Sequence, residues 1–230
     1  MFKLLKAAFL GLIAMAFTAT SYADITFVSW GGAYTASQQK AYVDTYESLN
    51  PDAKITVESY NGGLGEIKAQ VEAGNVTWDV VDVLPDQAIT GCDEGLFAKV
   101  DQSEFINDMV VPPVSECVVP QIFWAYTAFY SKSAFPGKKP KNIKDFFNVE
   151  KFPGKRGIHT WAQANIEMAL VGDGVKAKDV YDVMSTPEGI DRAFAKLDSI
   201  KNDVVFWSAG SKPLELVSSG EFVMAIAYNG

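Results

Sequence analysis

Histidine and cysteine are scarce: the 230-residue chain has one His, His159, and two Cys, Cys92 and Cys117. That leaves too few ligands for a His/Cys metal site, and the sequence gives no reason to expect a metal or a cofactor. A Ser/His/Asp hydrolase would have to use His159, which has no acid partner nearby, and no Gly-x-Ser-x-Gly elbow occurs. His159 is therefore read as a structural or surface residue. A basic cluster is also lacking. Twenty Lys and Arg against 28 Asp and Glu give a net charge of −8, which argues against nucleic acid as a partner. There is no internal repeat and no low-complexity tract. With 48% hydrophobic and 21% charged residues the composition is globular.

Long apolar runs are lacking too, with one exception at the start. Ala7 to Phe17 is an uncharged run of 11 residues, short of the about 20 that cross a bilayer. Lys3 and Lys6 precede it, and Ser21-Tyr22-Ala23 follows with the small residues a signal peptidase reads. Residues 1–23 are thus expected to be an export signal and the mature chain to begin at Asp24. In an oxidising compartment Cys92 and Cys117, which bracket 24 residues, read as one disulfide. Closing such a loop is worth roughly 3–4 kcal/mol in the chain-entropy model. Two buried free thiols are the alternative.

Along the mature chain strand and helix patterns alternate. Ile25 to Trp30 reads as a strand broken by Gly31-Gly32. Tyr34, Ala41, Tyr42, Tyr46 and Leu49 then recur at helical spacing, up to Asn50-Pro51-Asp52. Ile55 to Tyr60 alternates as a strand does, Glu66 to Ala73 is helical with Gly74 as its stop, and Val80 to Leu84 is a short strand of buried type. Pro85 opens another helix. This order predicts a parallel sheet with helices on both faces. Ile122 to Tyr130 is aromatic and apolar almost throughout, as for a strand buried on both sides. A second α/β stretch follows: a helix at Ile166 to Leu170, and Thr186-Pro187 as N-cap and first helical residue. Next come an apolar stripe of Ile190, Ala193, Phe194, Leu197 and Ile200, and strands at Val204 to Trp207 and Phe222 to Tyr228.

In open parallel sheets ligands bind beyond the carboxyl ends of the strands. Trp30 and Tyr34 follow the first strand, Asp82 lies near the end of the third, and Trp207 and Tyr228 end strands of the second half. Aromatic walls suit organic cations, because a ring face is electronegative, and Asp82 would complete an ammonium site. The alternative is that these rings are ordinary core. Asp79 and Asp82 do not make a catalytic pair, since that spacing on a strand puts them on opposite faces. The Asn61-Gly62-Gly63-Leu64-Gly65 turn lacks the Lys and Ser/Thr of a P-loop.

Several segments together resemble one family. These are Phe27-Val28-Ser29-Trp30-Gly31-Gly32-Ala33-Tyr34, Trp78-Asp79-Val80-Val81-Asp82, Gly91-Cys92-Asp93-Glu94-Gly95-Leu96 with Ser115-Glu116-Cys117, Ser185-Thr186-Pro187-Glu188-Gly189, and Tyr228-Asn229-Gly230. The chain from Asp24 to Gly230 resembles the periplasmic solute-binding proteins of spermidine/putrescine-type ABC importers. The resemblance implies a two-lobe α/β fold of the type II periplasmic kind, each lobe a mainly parallel sheet flanked by helices, with lobes at 24–126 and 127–230. It implies capture of a polyamine or similar organic cation, hinge closure, delivery to an inner-membrane ABC permease, a monomer, and no enzymatic activity. Trp30, Tyr34, Asp82, Trp207 and Tyr228 would be the ligand residues. Two departures stand out. The stretch Trp161-Ala162-Gln163-Ala164-Asn165 carries no acid until Glu167, where polyamine binders carry an acidic pair. The second crossing and the return to the first lobe are expected to be missing. The rival expectations are another small organic solute, ferric ion, or an exported α/β hydrolase.

Overall fold

The computed structural model describes residues 24–104 and 106–229; the export signal expected in residues 1–23 lies outside them. The first half builds β1 (Ile25–Ser29), α1 (Gly32–Gln38), a π turn at Gln39–Val43, α2 (Asp44–Leu49), β2 (Ile55–Ser59), α3 (Gly65–Glu72), β3 (Val80–Val81) and α4 (Pro85–Asp93). The three strands form one parallel sheet in the order β2-β1-β3, with Ile25 opposite Ile55 and Phe27 opposite Val80. Gly31, at φ 84°, turns the chain from β1 into α1, a conformation costly for a side-chain-bearing residue. Leu84 is extended and Pro85 occupies the first turn of α4, where its missing N–H costs nothing. Val28, Val43, Ile67, Leu84 and Ala88 are the buried apolar residues of this sheet and its helices.

The second half builds β4 (Tyr126–Tyr130), α5 (Ile143–Phe146), β5 (Arg156–His159), α6 (Asn165–Gly172), α7 (Val180–Met184), α8 (Pro187–Asp198), β6 (Val204–Trp207), α9 (Lys212–Ser219) and β7 (Met224–Tyr228). Its sheet runs β4-β7-β5-β6, parallel except for β4, which pairs antiparallel with β7. One face packs Phe146, Phe152, Ile158, Leu170, Ala193, Ile200 and Ile226 into a continuous core. The other face, around Trp207, Phe222, Ala225 and Ala227, is met by Leu216 and Val217 of α9. Thr186 caps α8 as its sequence requires, its Oγ1 accepting from Gly189 N at 3.0 Å. Arg156 is wholly buried and donates to the carbonyls of Phe146, Phe152 and Gly154. Burial brings its pKa down to about 10. These features are the two-lobed α/β architecture read from the sequence. A disulfide joins Cys92 of α4 to Cys117, with Cα atoms 5.8 Å apart. Among the described residues no helix is long and apolar enough to cross a membrane.

Four local expectations are corrected. Ile122 to Tyr130 is not a strand buried on both sides: only β4 pairs, at a sheet edge, and Phe123 is 70% exposed. The stretch is apolar because Trp124 lines a pocket between the two halves while Tyr126, Phe129 and Tyr130 pack on the second-half core, not because sheet covers it twice. In the first helical stretch Tyr42, Tyr46 and Leu49 face outward, and Gln38 and Val43 are the buried residues. The π turn accounts for this: it adds a residue to one turn, and each added residue rotates the following face by about 100°. Pairing in β3 stops at Val81, and Val80 is 52% exposed because β3 is an edge strand. In the α8 stripe Phe194 points outward, whereas Ala193 and Ile200 are buried.

Candidate functional site

Parallel strands bring their carboxyl ends to one edge of each sheet. At that edge Trp30 leaves β1, Tyr60 follows β2, and Asp82 follows β3. Trp161 lies just beyond β5, while Trp207 and Tyr228 close β6 and β7. In the first lobe the Trp30 ring stands 5.0 Å from Tyr60, which stands 5.6 Å from Trp78. The Tyr60 hydroxyl donates to the Asp82 carbonyl at 2.6 Å. Burial, then the Asp82 charge, pushes the Tyr60 pKa up.

Asp82 is the centre of a polar node. Its Oδ2 accepts from Tyr34 Oη at 2.7 Å, Gln38 Nε2 at 2.9 Å and Gln121 Nε2 at 2.7 Å. Gln121 also donates to Tyr34 Oη and accepts from Tyr42 Oη, so the linker between the sheets is tied to the first lobe at this point. Behind it the buried Ser29 hydroxyl donates to Gln38 Oε1 and accepts from Thr35 Oγ1. Burial first, then the hydrogen bond to Asp82, raises the Tyr34 pKa far above the ordinary phenol value, so Tyr34 is a donor at all working pH. The structure thus joins Tyr34 and Asp82 to each other and commits one carboxylate oxygen of Asp82 to three protein donors.

In the second lobe His159 is the hub. Its Nδ1 accepts from Trp161 N at 2.9 Å, and its Nε2 lies 3.0 Å from the Ser208 carbonyl. That pair of partners fixes the neutral ring with its proton on Nε2. Burial lowers its pKa, with the Ser208 bond opposing. The ring stands edge-on to Trp161 at 4.6 Å and to Trp207 at 4.5 Å. Both ring nitrogens are engaged and two indoles stand edge-on to the ring, so His159 braces the aromatic wall. Trp207 is 3% exposed and lies 5.9 Å from Tyr228. Tyr228 continues to Tyr126 at 4.9 Å and Trp124 at 5.5 Å.

The two aromatic groups meet where the Trp30 ring lies edge-on to Trp161, with centroids 6.1 Å apart. Trp30, Tyr34 and Asp82 on one side and Trp207 and Tyr228 on the other are therefore linked through Tyr60, Trp161 and His159. Between the lobes lies an open pocket of about 470 Å³ lined by Asp86, Trp124, Gln163, Ile166, Glu167 and Met184, among others. Its lining has two carboxylates, one from each lobe, and no basic side chain. Glu167 Oε2, Asn165 Oδ1 and Trp207 Nε1 are buried without a hydrogen-bond partner. A depression of similar size between Asp179, Thr186 and Arg192 lies away from the strand ends. No group of His, Cys, Asp and Glu suited to a metal ion occurs among the described residues.

A family model described as bacterial extracellular solute-binding protein matches residues 41–230. The chain belongs to that family. It is similar to a gamma-aminobutyric acid-binding protein of Pseudomonas aeruginosa, with 40% identity over 226 residues, covering 96% of this chain and 64% of that protein. The solved binding protein MotA of A. tumefaciens B6, in complex with glucopine, matches with a TM-score of 0.78 and 31% identity over 90% of this chain and 64% of that one. The solved Atu4243 GABA receptor matches with a TM-score of 0.72 and 34% identity over 90% of this chain and 63% of that one. The chain thus spans just under two thirds of the length of these relatives. The family and the fold agree with the sequence resemblance. They do not single out the spermidine/putrescine branch, since these relatives carry other ligands in their names.

Sequence reasoning missed Tyr60 and Trp161 as site aromatics, although both follow strands by the rule that found Trp30. It missed Gln38 and Gln121 because an amide in a helix or a linker carries no signal until its partners are known. Asp86 was missed, and Glu167 was noted only as the first acid after Trp161, because the two are remote in sequence and come together only in the lining of one pocket.

Proposed function

We propose that this chain is the solute-capturing component of a bacterial ABC importer, working in the periplasm by binding and release rather than by bond chemistry. Its ligand is a small amine-bearing solute, and GABA is the first to test. The observation that carries this reading is the inter-lobe pocket, where Trp124 stands with Asp86 and Glu167 and no basic residue. A protonated amine there would meet an aromatic face, worth up to about 2 kcal/mol when desolvated, and two carboxylates. The unpartnered Oε2 of Glu167 suits an incoming donor. GABA also carries a carboxylate. Arg156 does not serve it, being buried on three carbonyls; the Trp207 indole N–H is a buried donor without a partner, outside the lining of this pocket. The 40% identical relative named for GABA supports that choice.

A second reading keeps the polyamines of the sequence resemblance. The two carboxylates in the pocket lining, Asp86 and Glu167, favour it, because a polyamine presents more than one ammonium. Calorimetric titration of the mature chain with GABA, putrescine and spermidine separates the two. We expect GABA to bind with Kd near about 1 μM, or about −8 kcal/mol, and Glu167→Gln to weaken it about tenfold. Saturable binding of spermidine with none of GABA would transfer the assignment to polyamines. Binding by neither, with uptake of an anionic or neutral solute instead, would overturn the amine site.

A further inference from the structure

We infer that Gly62 is an affinity-setting position: the side chain it lacks is what lets Trp30 of the first lobe and Trp161 of the second come together and hold the cleft shut. This deepens the solute-binding reading and rests on it only for the affinity arm of its test. Gly62 lies in the turn after β2, at φ +78°. A Cβ placed on it would lie 2.6 Å from Trp161 Cη2 and closer still to Cζ3 and Cη2 of Trp30. Carbon atoms in contact need about 3.5 Å, so one of the rings must move.

Each ring is partly buried and has a neighbour behind it. Trp30 is backed by Tyr60, whose hydroxyl is fixed on the Asp82 carbonyl. Trp161 is backed by His159, whose two ring nitrogens are both bonded. Trp161 is also held by its own backbone N–H on His159 Nδ1, so the displacement falls on the edge contact between the two indoles, which no hydrogen bond spans. A second contact repeats the pattern close by. A Cβ on Gly32, at the start of α1, would lie 2.9 Å from Cβ of Ser211, just ahead of α9. In each of these two contacts the first-lobe side is a glycine. The neighbouring residue supplies a control. Gly63 has the same kind of backbone, φ +87°, yet nothing lies within 4 Å of its missing Cβ. Alanine at 62 and at 63 impose the same kind of backbone strain, and only the first reaches the other lobe.

The test compares the mature wild-type chain with Gly62→Ala, Gly63→Ala and Trp161→Ala by small-angle X-ray scattering without ligand, and by calorimetric titration with GABA. For a compact chain of this length the radius of gyration is about 17 Å. Gly62→Ala and Trp161→Ala are expected to raise it by about 1 Å and Gly63→Ala to leave it unchanged. The Kd for GABA should rise about tenfold, or about 1.4 kcal/mol, for the first two and less than about twofold for Gly63→Ala. Trp161→Ala keeps the turn intact, so it decides the matter should Gly62→Ala fail to fold. Equal radii for all four proteins, or equal changes at 62 and 63, overturn the inference. If none of the four takes up GABA while the radii differ as stated, the contact stands and the choice of GABA falls.

Discussion

The two lobes are held together by different means. The second lobe buries Phe146, Phe152, Leu170, Ile200 and Ile226 in one continuous apolar mass between sheet and helices. The first buries a shorter set and leaves Tyr42, Leu49, Val80 and Ile89 exposed. What it has instead is connectivity: the disulfide between Cys92 and Cys117, and the node in which Asp82 gathers Tyr34, Gln38 and Gln121. Apolar burial is non-directional and grows with area, whereas cross-links and charge-assisted hydrogen bonds fix particular atoms. The difference suits a cleft in which one wall is a rigid platform of packed rings. The other wall is positioned residue by residue.

The largest test of this contrast is a pair of matched truncations. Leu170→Ala, in the heart of the second lobe, should cost about 3–5 kcal/mol, and Leu84→Ala in the first about 2 kcal/mol, read from urea unfolding. Equal losses would mean that the first lobe has a core as effective as the second. Next comes Cys92→Ser. The open loop should cost the first lobe about 3 kcal/mol, seen by hydrogen exchange as lost protection in Ile25–Ser29 with Arg156–His159 unchanged. Loss in both strands would show that the lobes unfold as one unit. The smallest effect is on the pH profile. Burial lowers the folded-state pKa of His159 below its ordinary 6.5, so the unfolded chain binds the proton more readily. The contribution of His159 is therefore complete above about pH 6.5 and is lost as pH falls through the lower folded value. Thermal midpoints at pH 7 and pH 5 should fall further apart for the wild type than for His159→Gln, and an identical pH dependence would remove His159 as the keystone of the rigid wall.

Much of this was legible in the residues. Glycine and proline punctuated the elements: Gly31 ended a strand, Gly74 ended a helix, and Pro85 and Pro187 opened two more. The clearest failures came where one residue type served two purposes. Ile122 to Tyr130 is as apolar as a doubly covered strand, yet its rings serve a linker and a cleft, and composition does not separate the two uses. The helix after β1 departs from its sequence pattern because a single 3.6-residue period does not hold across it: the π turn at Gln39–Val43 breaks that period. Of the site, the aromatics at strand ends were readable because parallel topology alone sends them to one edge. The partners of Asp82 were not, because Gln38 and Gln121 come near it from opposite directions along the chain.

The α/β order and the family could be read from the residues alone, since each depends on local periodicity or on short segments. The folded molecule was needed to show that Cys92 and Cys117 are bonded, which aromatics touch, that His159 braces a wall, that Asp86 and Glu167 share a pocket, and that Gly62 sits between two indoles. Those facts depend on how two separately folded sheets meet, and contacts across such a meeting leave no period in the chain.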